Sequence, residues 1–345
     1  MKPKLAFIDH SFHQKTRSTF FLRDILASKF EIINLWDESW KGNKNLNAET
    51  INRGNYDKVL FFQSILPQSE LAKIRSEIIF VPMYDSIDRH SSSLWLKYKK
   101  LGVKVINFSR TLDAKMLAHG VDCLYVQFFP KPQVVAKVNQ NKPLVYFWQR
   151  QKYPNFETLK KLFNKNDIAG VIYKQHPDPG IRLSKLSDKD KSEWNVSVIE
   201  EFQSPQEFEK TLKKASIYIA PRLYEGIGMS FLEAMALGMV VVSPNNPTMN
   251  EYITDGENGF LYRPKREQKL NLNKFNQIKL ATKKTIDDGA NSWESDKIRI
   301  INFVAKKKAY NKLSAGQELK LIFLPPFEFV AKVIRYIEFK ILGNC

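Results

Sequence analysis

Short runs of β-branched and aromatic residues recur at residues 5–8, 59–62, 78–81 and 103–106, each followed by a polar or amphipathic segment of helical length. Strands that alternate with helices bury their apolar faces most simply as a parallel sheet covered by those helices. A second series begins at 144–148 and continues through 171–173, 196–199, 217–220 and 240–243. Two α/β domains are therefore expected. A length of 345 residues with 43% hydrophobic content agrees, because single cores seldom grow beyond about 250–300 residues.

Between the two series stands Phe129-Pro130-Lys131-Pro132, followed by a polar stretch at 137–142 without strand or helix periodicity. The boundary is placed near residue 138, giving domains at 1–138 and 139–315 and a final segment at 316–345. Residues 263–295 are rich in Lys, Asn and Asp with weak periodicity, and read as a mobile insertion or a plain surface helix. Near the end, Val330, Val333, Ile334, Ile337 and Ile341 fall at helical spacing among Lys332, Arg335 and Lys340. Such an amphipathic helix packs on the protein body or docks on an anionic membrane face.

The net charge of +18 draws polyanions: nucleic acid, anionic headgroups or phosphorylated substrates. The chain shows no RNA-recognition aromatic motif, zinc-finger spacing or helix-turn-helix signature, so nucleic acid is not the expected partner. No apolar stretch reaches the roughly 18 residues of a membrane span, and the short apolar run at the start lacks the length of a signal peptide. With only Cys123 and Cys345, neither a disulfide framework nor a thiolate cluster can form. A cytoplasmic chain, peripheral at the inner membrane face if it meets a membrane, is the expectation.

The chemistry concentrates in one stretch, where the run at 217–220 leads into Pro221-Arg222-Leu223-Tyr224-Glu225-Gly226-Ile227-Gly228 and then a helical pattern. Gly226 and Gly228 remove side chains where a ligand can approach the backbone, and the following helix offers unpaired N–H groups at its positive end. That is an anion site suited to a diphosphate. Ser230 and Glu233 also have capping-box spacing, which would make Glu233 a helix-starting residue only.

This segment resembles the family 4 retaining glycosyltransferases, whose C-terminal domain carries two glutamates separated by seven residues, the first opening a Glu-Gly-x-Gly turn. Glu225 and Glu233 stand at that spacing, and the resemblance runs on through Leu232 to Gly238, the run at 240–243, Asn250-Glu251-Tyr252-Ile253 and Asp255-Gly256-Glu257-Asn258-Gly259. It implies a GT-B fold, two Rossmann-like domains facing a central cleft. The N-terminal domain would be the acceptor side and the C-terminal one would hold a nucleotide-sugar donor, with the last helix crossing back to the first domain.

The resemblance further implies that Glu233 accepts hydrogen bonds from the ribose hydroxyls and that Glu225 faces the donor sugar, with the amides of Gly226, Ile227 and Gly228 approaching sugar or phosphate. The family neutralises the leaving diphosphate with an Arg and a Lys after the first strand of this domain. Arg150 is the candidate here, with Lys152 second, although the usual Gly-Arg start and Lys-Gly are replaced by Gln149-Arg150-Gln151-Lys152-Tyr153-Pro154. Lys174, ending the next strand, is an alternative phosphate or base-side residue. No cofactor is implied beyond the donor substrate, and the acceptor would be a glycan or a lipid-linked molecule of cell-surface polysaccharide synthesis.

Metal ligation is not expected. The only Asp-x-Asp, Asp188-Lys189-Asp190, reads as a solvated loop, and His10 and His13 have ligand spacing without carboxylate or cysteine partners. The segment from His10 to Arg17 follows the first strand, where doubly wound sheets place ligand-facing loops. Met83-Tyr84-Asp85 lies where relatives carry His-Asp, and Tyr84 means that no catalytic histidine carries over. The competing readings are an inactive scaffold of the same fold, or another GT-B enzyme such as an epimerase or phosphorylase.

Overall fold

The structure, a computed structural model, describes residues 1–38, 46–87, 92–133, 141–201, 203–307 and 313–320. The apolar runs do become strands, and the described chain divides into two compact units. The first comprises residues 1–126 and those from 296 on, and the second residues 127–295. The amphipathic spacing at 330–341 and most of the polar stretch at 137–142 lie outside the described residues.

The first unit holds six parallel strands, β1 (Lys4–His10), β2 (Glu31–Asp37), β3 (Lys58–Phe62), β4 (Glu77–Val81), β5 (Lys104–Asn107) and β6 (Asp122–Tyr125), in the order β2-β1-β3-β4-β5-β6. Alternate residues Ala6, Ile8, Val59, Phe61, Ile78 and Phe80 share one buried face with Trp95, Tyr98, Leu112 and Met116 from the covering helices. Because side chains alternate across a strand, that set fixes the register.

The second unit repeats the plan with β7 (Leu144–Gln149), β8 (Gly170–Gln175), β9 (Val196–Ile199), β10 (Ile217–Ile219), β11 (Val240–Pro244) and β12 (Phe260–Tyr262), ordered β12-β11-β10-β7-β8-β9. Val145, Phe147, Ile217, Ile219, Val240 and Val242 face the helix Phe156–Leu162 in one core. Tyr146 and Tyr218, paired in register, stack on the opposite face with ring centroids 5.8 Å apart.

In each sheet the strand order reverses at one place, between β1 and β3 in the first unit and between β7 and β10 in the second. Loops leaving the carboxyl ends of strands diverge there, which opens the crevice where doubly wound sheets take ligands.

The segment at 263–295 is no mobile insertion. From Phe275 to Ala305 it forms one 31-residue helix whose buried positions Ile278, Thr282, Ile286 and Trp293 recur at helical spacing. Gly289 lies on the same stripe, and a Cβ there would sit 2.3 Å from the Phe129 ring. Of the Asp188-Lys189-Asp190 run, Asp188 and Lys189 are exposed and Asp190 is half-buried against Lys160; the run is helical (Asp188–Glu193), capped by Ser187, whose hydroxyl accepts from the Asp190 amide.

Candidate active site

The second unit's reversal point gathers the charged residues. Arg150 follows the last residue of β7, and Arg222 follows β10 by three residues. Asp178 comes from the loop after β8, whose backbone N–H donates to the Arg150 carbonyl at 3.0 Å. One carboxylate serves both arginines. Arg150 donates Nε to Asp178 Oδ1 at 2.9 Å and places Nη2 2.6 Å from the same oxygen; Arg222 donates Nε and Nη2 to Oδ2 at 3.1 and 2.6 Å. Gln151 Nε2 adds a further bond to Oδ2 at 2.5 Å. Burial acts to raise the Asp178 carboxyl, but Arg150 and then Arg222 outweigh it and hold it below the usual carboxylate range.

Lys174, at the end of β8, is buried beside this cluster. Its ammonium lies 4.6 Å from the Trp148 ring and 5.0 Å from Phe208, and donates to Gln203 Oε1 at 3.2 Å. Burial lowers its pKa, and the charge of Arg150 lowers it further. Arg150 stacks on Trp148, 4.6 Å from the ring centroid. Lys152 stands exposed in the turn beyond β7.

The turn from Glu225 to Gly228 is built for close approach. Gly228 takes φ 82°, a left-handed conformation that glycine adopts without strain, and a Cβ there would fall 1.9 Å from the Phe231 ring. It is the N-cap of the helix Met229–Ala236, which has no side-chain cap. Since the helix starts at Met229, Ser230 and Glu233 lie inside it, and the capping-box alternative for Glu233 is overturned. Glu225, 9% exposed, has its carbonyl held by the buried Thr248 hydroxyl at 3.3 Å, while Asn246 Nδ2 donates to the Leu223 carbonyl at 3.0 Å. The helix behind the turn is braced by Phe231, Tyr252 and Phe129, whose rings meet edge to face at 5.7 and 5.3 Å.

Glu233 is pushed up to about 7 by burial, with the negative charge of Glu209 adding to the shift. Neither cause is a hydrogen bond to the carboxylate. Tyr218, on the neighbouring strand β10, is fully buried, and burial raises its phenol.

Arg222 stood within the segment singled out in the sequence but carried no assigned role, and Asp178 carried none either. They are 44 residues apart, and nothing local signals that they pair. The positions of Arg150 after β7 and of Arg222 after β10, at the ends of neighbouring strands, are the signal that could have found the second arginine.

In the first unit, His10 and His13 do have a carboxylate partner, Asp9, contrary to the sequence reading. Asp9 Oδ1 accepts from the His10 backbone N–H at 2.9 Å and lies 2.6 Å from His13 Nδ1; Oδ2 accepts from Thr19 Oγ1 and Arg23 Nη2, both at 2.8 Å. A carboxylate offers about four acceptor sites, and the four contacts made to this one tie His10, His13, Thr19 and Arg23 together around the loop. Tyr84 is buried, and the Lys115 ammonium stands 5.6 Å from its ring.

Residues 137–284 match the family model described as Glycosyl transferases group 1. No curated protein sequence matches the chain. Among solved structures, a glycosyltransferase from Rickettsia africae is 14% identical with a TM-score of 0.60, covering 89% of this chain and 99% of that one. HepE of Anabaena, solved with UDP and glucose, is 15% identical with a TM-score of 0.57, covering 88% and 98%. The sucrose-phosphate synthase of Thermosynechococcus elongatus is 13% identical with a TM-score of 0.51, covering 96% and 100%. These likenesses establish the fold, two six-stranded parallel α/β units of the GT-B type. Residues 137–284 are thus similar to a glycosyl transferases group 1 domain, and glycosyltransferase is the enzyme class that this match indicates.

Proposed function

We propose that the second unit binds a nucleoside-diphosphate sugar and that the enzyme transfers the sugar with retention of configuration, as in the family 4 enzymes. The observation that carries this reading is Glu233: a carboxyl raised to about 7, not used to start its helix, on the helix that the Gly228 turn opens. In this reading Glu233 accepts both ribose hydroxyls. Glu225 binds hydroxyls of the donor sugar, and the amides of Gly226, Ile227 and Gly228 approach sugar or phosphate.

Cleavage of the bond from the anomeric carbon to the leaving phosphate oxygen puts negative charge on the diphosphate. In this reading Arg150, Lys174 and the N–H groups at the start of the helix Met229–Ala236, which has no side-chain cap, stabilise that charge without solvent reorganisation. The leaving phosphate takes the acceptor hydroxyl's proton on the same face as the new bond forms, so the step needs neither a protein base nor a divalent metal. Lys152, exposed on its turn, would reach only the outer edge of such a ligand.

The acceptor class proposed is a glycan or lipid-linked molecule of surface polysaccharide synthesis, met at an anionic membrane surface; the net charge of +18 supports it. Proton NMR of products from UDP-, GDP-, CDP- and ADP-sugars tests the reaction. One donor should give a product with the donor's anomeric configuration, EDTA should leave the rate unchanged, and Glu225→Gln should lower kcat about a hundredfold or more. An inverted product or an EDTA-abolished rate would sink the mechanism.

A further inference from the structure

We propose that Arg222 is the second diphosphate-binding cation of this site and that Asp178 is the residue that positions it together with Arg150; this rests on the nucleoside-diphosphate reading above. Two arginines brought to the ends of neighbouring strands repel one another unless an anion lies between them. Asp178 is that anion, and its place is fixed from three directions: the Arg150 pair, the Arg222 pair and Gln151.

The geometry is a template rather than a neutralised pair. Each guanidinium spends its Nε side on Asp178, and a planar guanidinium held along one edge has its remaining edge fixed in direction. One carboxylate is shared by two guanidinium groups, with the Lys174 ammonium close enough to be shifted by Arg150, so three cationic side chains gather around Asp178. A diphosphate, with several negative charges and oxygens spaced for bidentate contact, completes that balance, whereas a nucleoside without phosphate gains nothing from it. The side-chain exposures of Arg150 and Arg222, 26% and 28%, against 11% for Asp178, fit a buried holder and two partly open cations. The sequence had put Lys152 second to Arg150; Arg222 takes that place in this proposal.

The test is calorimetric titration of UDP, GDP, CDP, ADP, the matching nucleosides and inorganic pyrophosphate into the wild type, Arg222→Lys, Asp178→Asn and Asp178→Glu. Thermal unfolding without ligand serves as the folding control. Arg222→Lys keeps the charge but cannot pair side-on with Asp178. It should weaken the diphosphate that binds, and pyrophosphate, by about tenfold to a hundredfold and leave the nucleoside unchanged. Asp178→Asn should weaken pyrophosphate likewise and lower kcat more than it changes KM, with partial recovery in Asp178→Glu. If Arg222→Lys keeps the wild-type preference for diphosphate over nucleoside, the proposal for Arg222 is overturned. If Asp178→Asn changes stability alone, the positioning role is overturned. Pyrophosphate separates this proposal from the donor reading: binding of pyrophosphate that depends on Arg222, with no nucleotide binding better, would sustain the clamp and refute the nucleotide site. Failure of every ligand would refute both.

Discussion

Glu233 is a carboxyl held where ionisation is unfavourable, and that has a consequence for stability. The folded chain keeps the proton up to about pH 7, while the unfolded chain releases it near the ordinary value of 4.5. Between those values the folded state binds more protons, so this group's contribution is fully present below pH 4.5 and is lost as pH rises through about 7. Glu233→Gln should therefore exceed the wild type in unfolding free energy by on the order of 1–3 kcal/mol at pH 8, with a smaller gap at pH 5. Chemical denaturation at the two pH values reads this directly; an equal gap at both would mean that the carboxyl is not desolvated. The same variant should lose nucleotide binding, because ribose hydroxyls favour the ionised form. At this scale the sequence was legible in the glycine turn at Gly228 and the helix that follows it. It was silent where partners are distant in the chain: Asp178 with Arg222, Asp9 with Arg23, Thr248 with Glu225.

Among the elements, the turn into the helix Met229–Ala236 depends on one conformation. Gly228→Ala forces a Cβ into the left-handed region and against the Phe231 ring, which should cost about 1–3 kcal/mol and shift the N–H groups that the helix start presents. Loss of stability and of nucleotide affinity together, measured by thermal melts with and without ligand, is the expected outcome; unchanged affinity would separate the helix start from the site. The strands that the apolar runs mark became central strands or β9, while β2, β6 and β12 went unread, and all three are sheet edges. An edge strand is covered on fewer sides: β2 and β6 contain no fully buried residue, and β12 is three residues long. Their sequences lack the continuous apolar run that signals a central parallel strand. The helix Phe275–Ala305 hid for a related reason, because its inward stripe includes Thr282 and Gly289 among a Lys- and Asn-rich exterior.

For the whole molecule, twofold use of one α/β plan was legible because the apolar runs come in two series, and the comparisons agree on the fold at 13–15% identity. A surface with a net charge of +18 should bind vesicles containing anionic lipid at low salt and leave them on the order of 0.5 M salt, where the Debye length falls to a few ångströms. Co-sedimentation with anionic but not zwitterionic vesicles is the expected result, and equal recovery from both would remove the support for a membrane-borne acceptor. In the proposed nucleotide site Glu233 is the residue that binds the ribose. The decisive measurement is the thermal shift of the wild type and Glu233→Ala with UDP, GDP, CDP and ADP, since a ligand present at about 100 times its Kd adds roughly 2.7 kcal/mol to the folded state. One nucleotide should raise the wild-type Tm by several degrees and do so far less in Glu233→Ala; no shift with any nucleotide, or an equal shift in both proteins, would contradict the site described here.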